Sequence, residues 1–188
     1  MGHSAFGFCL PLATKHFITF LEMKREFPKN PLVGVGGVVI RHNRVLLVRR
    51  KREPLKGEWS IPGGLVELGE ELAQAARREL KEETGLDVEP LKVIAVIDRI
   101  MREERGRSRV RYHFVIVDYA CLWKGGRLKP CSDVADARWV RREDLLQYHL
   151  TSMASTVIEE AFRFISTRRR PQRIAIRPLA AWKKARGL

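Results

Sequence analysis

Cysteine is scarce in this chain of 188 residues: Cys9, Cys121 and Cys131 are all there are. The number is odd and the spacings are not those of a zinc site, so neither a disulfide framework nor a structural zinc is expected. Cys121 and Cys131 could face each other across LWKGGRLKP, but free thiols in a reducing cytoplasm are the expectation. Long hydrophobic runs are missing too. The apolar stretches are too short to cross a bilayer, and no membrane partner is expected. The opening MGHSAFGFCLPLATKHF carries an apolar patch without a basic segment before it, which argues against a secretory signal. Internal repeats are absent. Acidic residues vanish from one end: beyond Ser166 the chain has eight Lys and Arg, from Arg168 to Arg186, and no Asp or Glu. Eight of the fourteen excess positive charges therefore lie in a short tail, and the rest of the chain is only mildly basic.

What is present organises as one domain with two ends. Residues 1–30 read as an irregular leader; Met23 begins MKREFPKN and is a candidate start of the natural chain. Residues 31–167 carry the alternating and periodic apolar patterns of strands and helices. Strands are expected at Gly34–Ile40 and Arg44–Arg50 around the turn RHN, then over LKVIAVIDRI, VRYHFVIVDYACL and ARWV. Gly125 and Gly126 mark a turn. Arg142–Tyr148 reads as a short helix, and Thr151 as the cap of a last helix running to about Thr167. Residues 168–188 form the basic tail. A solvated tail is the plain reading; contact with nucleic acid, with Trp182 stacking on a base, is the functional one.

The run ELAQAARRELKEET, Glu71–Thr84, consists of good helix formers and is followed by Gly85, suited to the left-handed residue that ends a helix. At about 100° per residue, Leu72, Ala76 and Leu80 form an apolar stripe. Glu79 and Glu83 fall on that stripe and Glu82 at its margin. Two like charges about 6 Å apart repel by roughly 3 kcal/mol at an effective dielectric of about 20, and desolvation adds to this. Arg78 is one positive charge against three. A divalent cation held by hard oxygen ligands would balance them; a solvated helix face would make the same run unremarkable.

The upstream residues decide between these readings. From Gly64 five residues lead to Glu70, seven more to Arg78, and then come Glu79, Leu80, Lys81, Glu82, Glu83, Thr84, Gly85 and Leu86. This resembles the Nudix box, G-x5-E-x7-R-E-U-x-E-E-x-G-U with U aliphatic, at all nine specified positions across residues 64–86. VGVGGVVI, RVLLVRR, GEWSIPGG, YHFVIVDY and DARWV follow the family's order. The resemblance implies an α/β Nudix fold, a mixed β-sheet sandwiched between α-helices. It implies a Mg2+- or Mn2+-dependent hydrolase of nucleoside diphosphates linked to another moiety. Carried onto this chain, Glu79, Glu82, Glu83 and the Gly63 carbonyl are the metal ligands. Arg78 orients the carboxylates. Gly64, Glu70 and Gly85 support the loop and helix. Glu82 or Glu83 is the expected catalytic base, with Glu103 or Glu104 as the alternative.

The nucleotide is set outside the box. The pattern from LLVRRKREP to YHFVIVDY looks most like bacterial ADP-ribose pyrophosphatases, which implies conversion of ADP-ribose to AMP and ribose 5-phosphate. The proline that often marks ADP-ribose specificity beyond the box is missing from DRIMREE, residues 98–104. Hydrolysis of (oxidised) nucleoside triphosphates in the manner of MutT is the alternative. A non-catalytic nucleotide- or nucleic-acid-binding protein is a third, against which the complete set of box carboxylates speaks. Arg49 and Trp59 are candidate substrate contacts, within the wider basic clusters Arg49–Arg52 and Arg105–Arg111. Trp59 equally fits a core position, and His113 a structural one. The family also implies a homodimer.

Overall fold

A computed structural model describes residues 25–103, 109–131 and 134–168. The leader through residue 24 with Met23, Glu104 with Arg105 and Arg107, and the basic tail beyond residue 168 with Trp182 lie outside the described residues.

The fold is built around a forked hairpin. Strands β1 (Leu32–Arg41) and β2 (Arg44–Arg50) turn at His42 and Asn43, with His42 in the left-handed region at φ 56°. They pair only at Ile40 with Val45 and Arg41 with Arg44, and then part. The residues leading into the box fill the fork. β3 (Trp59–Ser60) pairs with β2, and β4 (Gly63–Leu65) pairs with β1, Gly36 opposite Gly63. The Gly37 amide donates to the buried Pro62 carbonyl at the crossing, 3.0 Å away. On the other edge of β1 lies β6 (Val110–Gly126), parallel to it from Leu32–Phe114 to Ile40–Leu122. β5 (Leu86–Arg102) runs antiparallel to β6, and β7 (Val134–Arg141) antiparallel to β2. The result is one mixed sheet of seven strands among the described residues.

A helix covers each face. α1 (Leu72–Thr84) packs Ala75, Ala76 and Leu80 on Val35, Val39, Leu46, Val117, Tyr119 and Cys121. α2 (Ser152–Thr167) packs Val157, Ile158, Ala161 and Phe162 on Val38, Ile40, Val45 and Leu47. The residues of β1 and β2 thus alternate between the two helices, as the two-residue period of a strand requires. Gly85 ends α1 in the left-handed conformation at φ 73°, its amide donating to the Lys81 carbonyl. Thr151 caps α2 by accepting from the Ala154 amide at 3.2 Å. The segment Arg142–Tyr148 is a short helix of the 3-10 type, seven residues long.

Two elements exceed their sequence-based bounds. β5 starts directly after Gly85, and β6 runs on through Gly125 and Gly126 instead of turning at them. The reason is a close crossing: Gly126 pairs with Leu86, and a Cβ on it would stand 2.5 Å from the Gly85 carbonyl oxygen. Cys121 is buried and Cys131 half-buried, both as free thiols. No helix of the described residues is long and apolar enough to cross a membrane.

The seating of α1 on the sheet depends on Gly37. A Cβ there would lie 2.8 Å from both Leu80 methyls and 3.1 Å from the Cys121 sulfur. Gly37→Ala should destabilise the fold by about 1–3 kcal/mol through overpacking, and Leu80→Ala by about 2–5 kcal/mol through the cavity it leaves. The double variant should lose clearly less than the sum. Urea denaturation of the three variants checks this; strict additivity would show that Gly37 does not set the helix position.

Candidate active site

The box helix meets the fork of the sheet at two glycines. Gly63 has φ 154°, and a Cβ on it would be 2.1 Å from the Val35 carbonyl oxygen. A Cβ on Gly64 would be 2.4 Å from the Glu79 carboxylate. Side chains are excluded at both positions, and the backbone lies directly on the acids of α1. The Gly63 amide donates to Glu83 Oε2 at 2.9 Å.

Arg78 gathers the rest. Its guanidinium donates to both oxygens of Glu70 at 2.9 Å, to Glu79 Oε1 at 2.8 Å, to the Leu65 carbonyl at 3.0 Å and to Glu82 Oε2 at 3.5 Å. Glu70 also accepts from the Glu67 amide at 3.2 Å, which closes the loop before the helix. Arg78 hydrogen bonds hold the Glu70 carboxyl below the usual carboxylate range, and the Glu70 contact raises the Arg78 pKa. Glu79 behaves differently. Its side chain is 15% exposed, and burial pushes its pKa up despite the Arg78 hydrogen bond that lowers it. Glu82 is 53% exposed.

The structure thus brings Gly63, Gly64, Glu70, Arg78, Glu79, Glu82 and Glu83 together, with Gly85 closing the helix behind them. The carboxylates are spread over Arg78 and the Gly63 amide. Among the described residues no group of three His, Cys, Asp or Glu side chains is gathered closely enough to hold a metal ion. The chemistry of the set nonetheless fits a hard divalent cation: all its donors are oxygens, and the half-buried Glu79 carboxylate carries a desolvation cost that a cation would offset.

Beside this cluster a cavity of about 160 Å³ opens on the α2 face of the sheet. Ile97, Phe114, Ile116 and Asp118 line it from β5 and β6, Met153, Ala154 and Val157 from α2, and Trp59, Ile61, Gly63 and Gly64 from the fork. Three arginines, Arg25, Arg50 and Arg99, also line it. Burial holds the Arg50 guanidinium below its usual pKa; Glu83 pulls it up, and the charges of Arg25 and Arg99 push it down. Arg50 is therefore the electrostatic link between the cavity and the box.

Other sequence candidates fall elsewhere. Arg49 is exposed, donates to the Gly57 carbonyl at 3.0 Å and does not line the cavity; its neighbour Arg50 does. Trp59 serves both expected roles, lining the cavity while packing edge-on to Tyr148 at 5.1 Å in the core. Glu103 lines a separate surface pocket with Glu26, Arg111 and Tyr112. Arg109 lies over Phe27, and Arg111 pairs with Glu26. His113 is half-buried in β6 opposite Ile100. Sequence reasoning missed Arg25, Arg99 and Asp118. Asp118 had a signal: it is the one acid inside the apolar run FVIVDYAC.

The NUDIX domain model matches residues 30–160, and the chain belongs to that family. Among its curated relatives is the ADP-ribose pyrophosphatase of Methanocaldococcus jannaschii, 34% identical over 137 residues, which cover 70% of this chain and 78% of that one. The human 8-oxo-dGDP phosphatase NUDT18 is 40% identical over 128 residues, 63% of this chain but 37% of its own length. Among solved structures, the NUDIX domain of Shewanella oneidensis NrtR, crystallised with ADP ribose, superposes with a TM-score of 0.57 at 28% identity, covering 73% of this chain and 90% of that one. Membership and a complete box support pyrophosphohydrolysis of nucleotide-diphosphate derivatives as the general activity.

Burial raises the Asp118 carboxyl from 3.8 to about 6. A carboxyl whose folded pKa lies above its unfolded value stabilises the fold fully below the unfolded pKa and loses that contribution as pH rises through the folded one. Wild-type stability should therefore fall by about 3 kcal/mol from this group between about pH 4 and about pH 7. Asp118→Asn should flatten that part of the profile, as read from urea midpoints across the range. An unchanged profile would show that Asp118 is solvated in solution.

Proposed function

We propose that this chain hydrolyses the pyrophosphate bond of ADP-ribose, releasing AMP and ribose 5-phosphate. The observation that carries the reading is the adjoining of two things: a cavity with apolar walls and three arginines, and the box acids, joined through Arg50 and Glu83. A nucleoside diphosphate derivative has this same division, an apolar ring system at one end and a diphosphate next to it. The choice of ADP-ribose is supported by the named activity of the Methanocaldococcus relative and by the ligand of the NrtR domain.

Glu79, Glu82 and Glu83, with the Gly63 carbonyl, would hold Mg2+ or Mn2+, which when bound neutralises pyrophosphate charge and activates water. The chain's own groups supply the rest. Arg50, with Arg25 and Arg99, holds the diphosphate and takes the part first assigned to Arg49. Arg78 positions Glu79 and Glu82 without touching substrate. A water oxygen bonds to one phosphorus, the bond from that phosphorus to the bridging oxygen breaks, and the leaving phosphate keeps the electron pair. The water proton passes to Glu82 or Glu83. Of the two, Glu83 is anchored by the Gly63 amide and faces Arg50, while the more exposed Glu82 is better placed to pass a proton on to solvent.

A second reading, hydrolysis of oxidised guanine nucleotides, is favoured by the NUDT18 likeness. ADP-ribose, NADH, dinucleoside polyphosphates, UDP-sugars, 8-oxo-dGDP and 8-oxo-dGTP, each with Mg2+, separate the two. ADP-ribose should show the highest kcat/KM; preference for an oxidised guanine nucleotide would replace it. Glu83→Gln preserves an oxygen acceptor for the Gly63 amide but removes a charge. It should lower turnover by about 100-fold or more and weaken Mn2+ binding in a titration. A loss of a few-fold would put the essential acid elsewhere.

A further inference from the structure

One acid in the cavity has no part in that hydrolysis. Asp118 is 5% exposed and stands on β6 opposite Gly36 of β1, with Ala95 of β5 on its other side. A Cβ on Gly36 would be 2.0 Å from Asp118 Oδ1, so the strand gives up a side chain to make room for this carboxylate. Its near neighbours are apolar: Ile116 and Ile97 lie beside it in register, Ile61 borders the same glycine, and Val157 and Ala154 come down from α2, while Arg25, Arg50 and Arg99 line the same cavity. Burial alone perturbs the carboxyl, with no hydrogen-bonding or charged partner among its causes.

Buried polar groups are nearly always paired within the fold, because an unmet one costs about 1–3 kcal/mol or more. A carboxylate that lines a cavity unpaired is suited to a ligand that brings the donor. The apolar walls and the Trp59 ring suit the faces of a heteroaromatic base. An ionised carboxylate accepts hydrogen bonds and cannot donate, so it welcomes an N–H and opposes a carbonyl oxygen.

We propose that Asp118 is a specificity-determining residue whose carboxylate accepts a hydrogen bond from the exocyclic amino group of a purine base seated in the cavity, and which rejects a base presenting a carbonyl there. The assignment rests on the reading of the cavity as a nucleotide site, and it deepens that reading by naming the feature of the base that is read. Adenine meets the requirement through its 6-amino group. Hypoxanthine, with the same shape and an oxygen at that position, does not.

The test uses binding rather than turnover, so that it stands apart from the identity of the substrate. Calorimetry of the full chain with AMP and with IMP, at pH 8 with Mg2+, should give AMP the advantage by on the order of 100-fold. In Asp118→Asn the amide can donate to the hypoxanthine oxygen, and the preference should collapse or invert. In Asp118→Ser it should collapse without inverting. Circular dichroism reports that the variants remain folded. The same AMP-to-IMP ratio in all three proteins overturns the proposal. So does an equal weakening of both nucleotides in the variants, which would make Asp118 a structural residue, or the failure of AMP, IMP and GMP alike to bind wild type. GMP also carries an amino group. Tight GMP binding that is lost in Asp118→Asn, with AMP weak, supports Asp118 as the reader while removing ADP-ribose as the substrate.

Discussion

Glu79 is a half-buried acid set against backbone, and the site is arranged around that cost. Its carboxylate lies under Gly64, where a side chain would collide with it at 2.4 Å, and burial disfavours its charge. Arg78 is what keeps it charged and in place. One guanidinium ties Glu79 and Glu82 of the helix to Glu70 of the preceding loop and to the Leu65 carbonyl of β4. The planar fork of arginine can meet these oxygens at once, which the single ammonium of lysine cannot. The loop, the strand and the catalytic helix are thus cross-linked by one residue. Glu83, held by the Gly63 amide and sensed by Arg50, adds further negative charge beside these acids, and that excess of acid is the condition for attracting a cation.

The sheet explains how acids from one face come to serve a cavity on the other. α1 packs on the face of Val35 and Val39, whereas the cavity lies on the face of Asp118 and Ile116. An unbroken sheet would separate them. The fork between β1 and β2 opens it, and the segment Trp59–Leu65 passes through, contributing Trp59 and Ile61 to the cavity and Gly63 and Gly64 to the helix. Glycine is needed where the backbone must lie against both the Val35 carbonyl and the acids; a side chain there would push the helix off the opening.

The helix and the box were legible because they are local. Residues three and four apart on a helix are neighbours whatever the fold, so the inward aim of Glu79 and the reach of Arg78 to Glu82 followed from spacing alone. Strand alternation likewise revealed β1, β2 and the two long strands. What spacing could not reveal depends on contacts far apart in the chain. Arg49 and Arg50 are adjacent in β2, and the ladder with β7 shifts register between them, so which one meets the cavity depends on a pairing fixed by residues well downstream rather than on alternation. Arg99 lies inside the run LKVIAVIDRI that announced β5, but only the assembled sheet brings it to the cavity beside Arg25 and Arg50. Gly125 and Gly126 read as a turn because small residues usually mark one; here the bare backbone of Gly126 permits a crossing beside Gly85.

The positions of charge argue that reaction and recognition are kept apart by the dielectric. The box acids and Arg78 form a dense, partly solvated network in which each charge has a partner, so its members can exchange partners with an arriving cation or phosphate at modest cost. Asp118 is a single carboxylate, 5% exposed and with apolar near neighbours, where one hydrogen bond gained or lost counts for most. Arg50 lies between the two regimes, half-buried and sensing Glu83, Arg25 and Arg99. A ligand spanning both would have its diphosphate oriented by many adjustable charges and its far end judged by one fixed group. On the proposed reading, that arrangement lets the general chemistry of the box be retained while the choice of nucleotide changes with a few side chains on the sheet face.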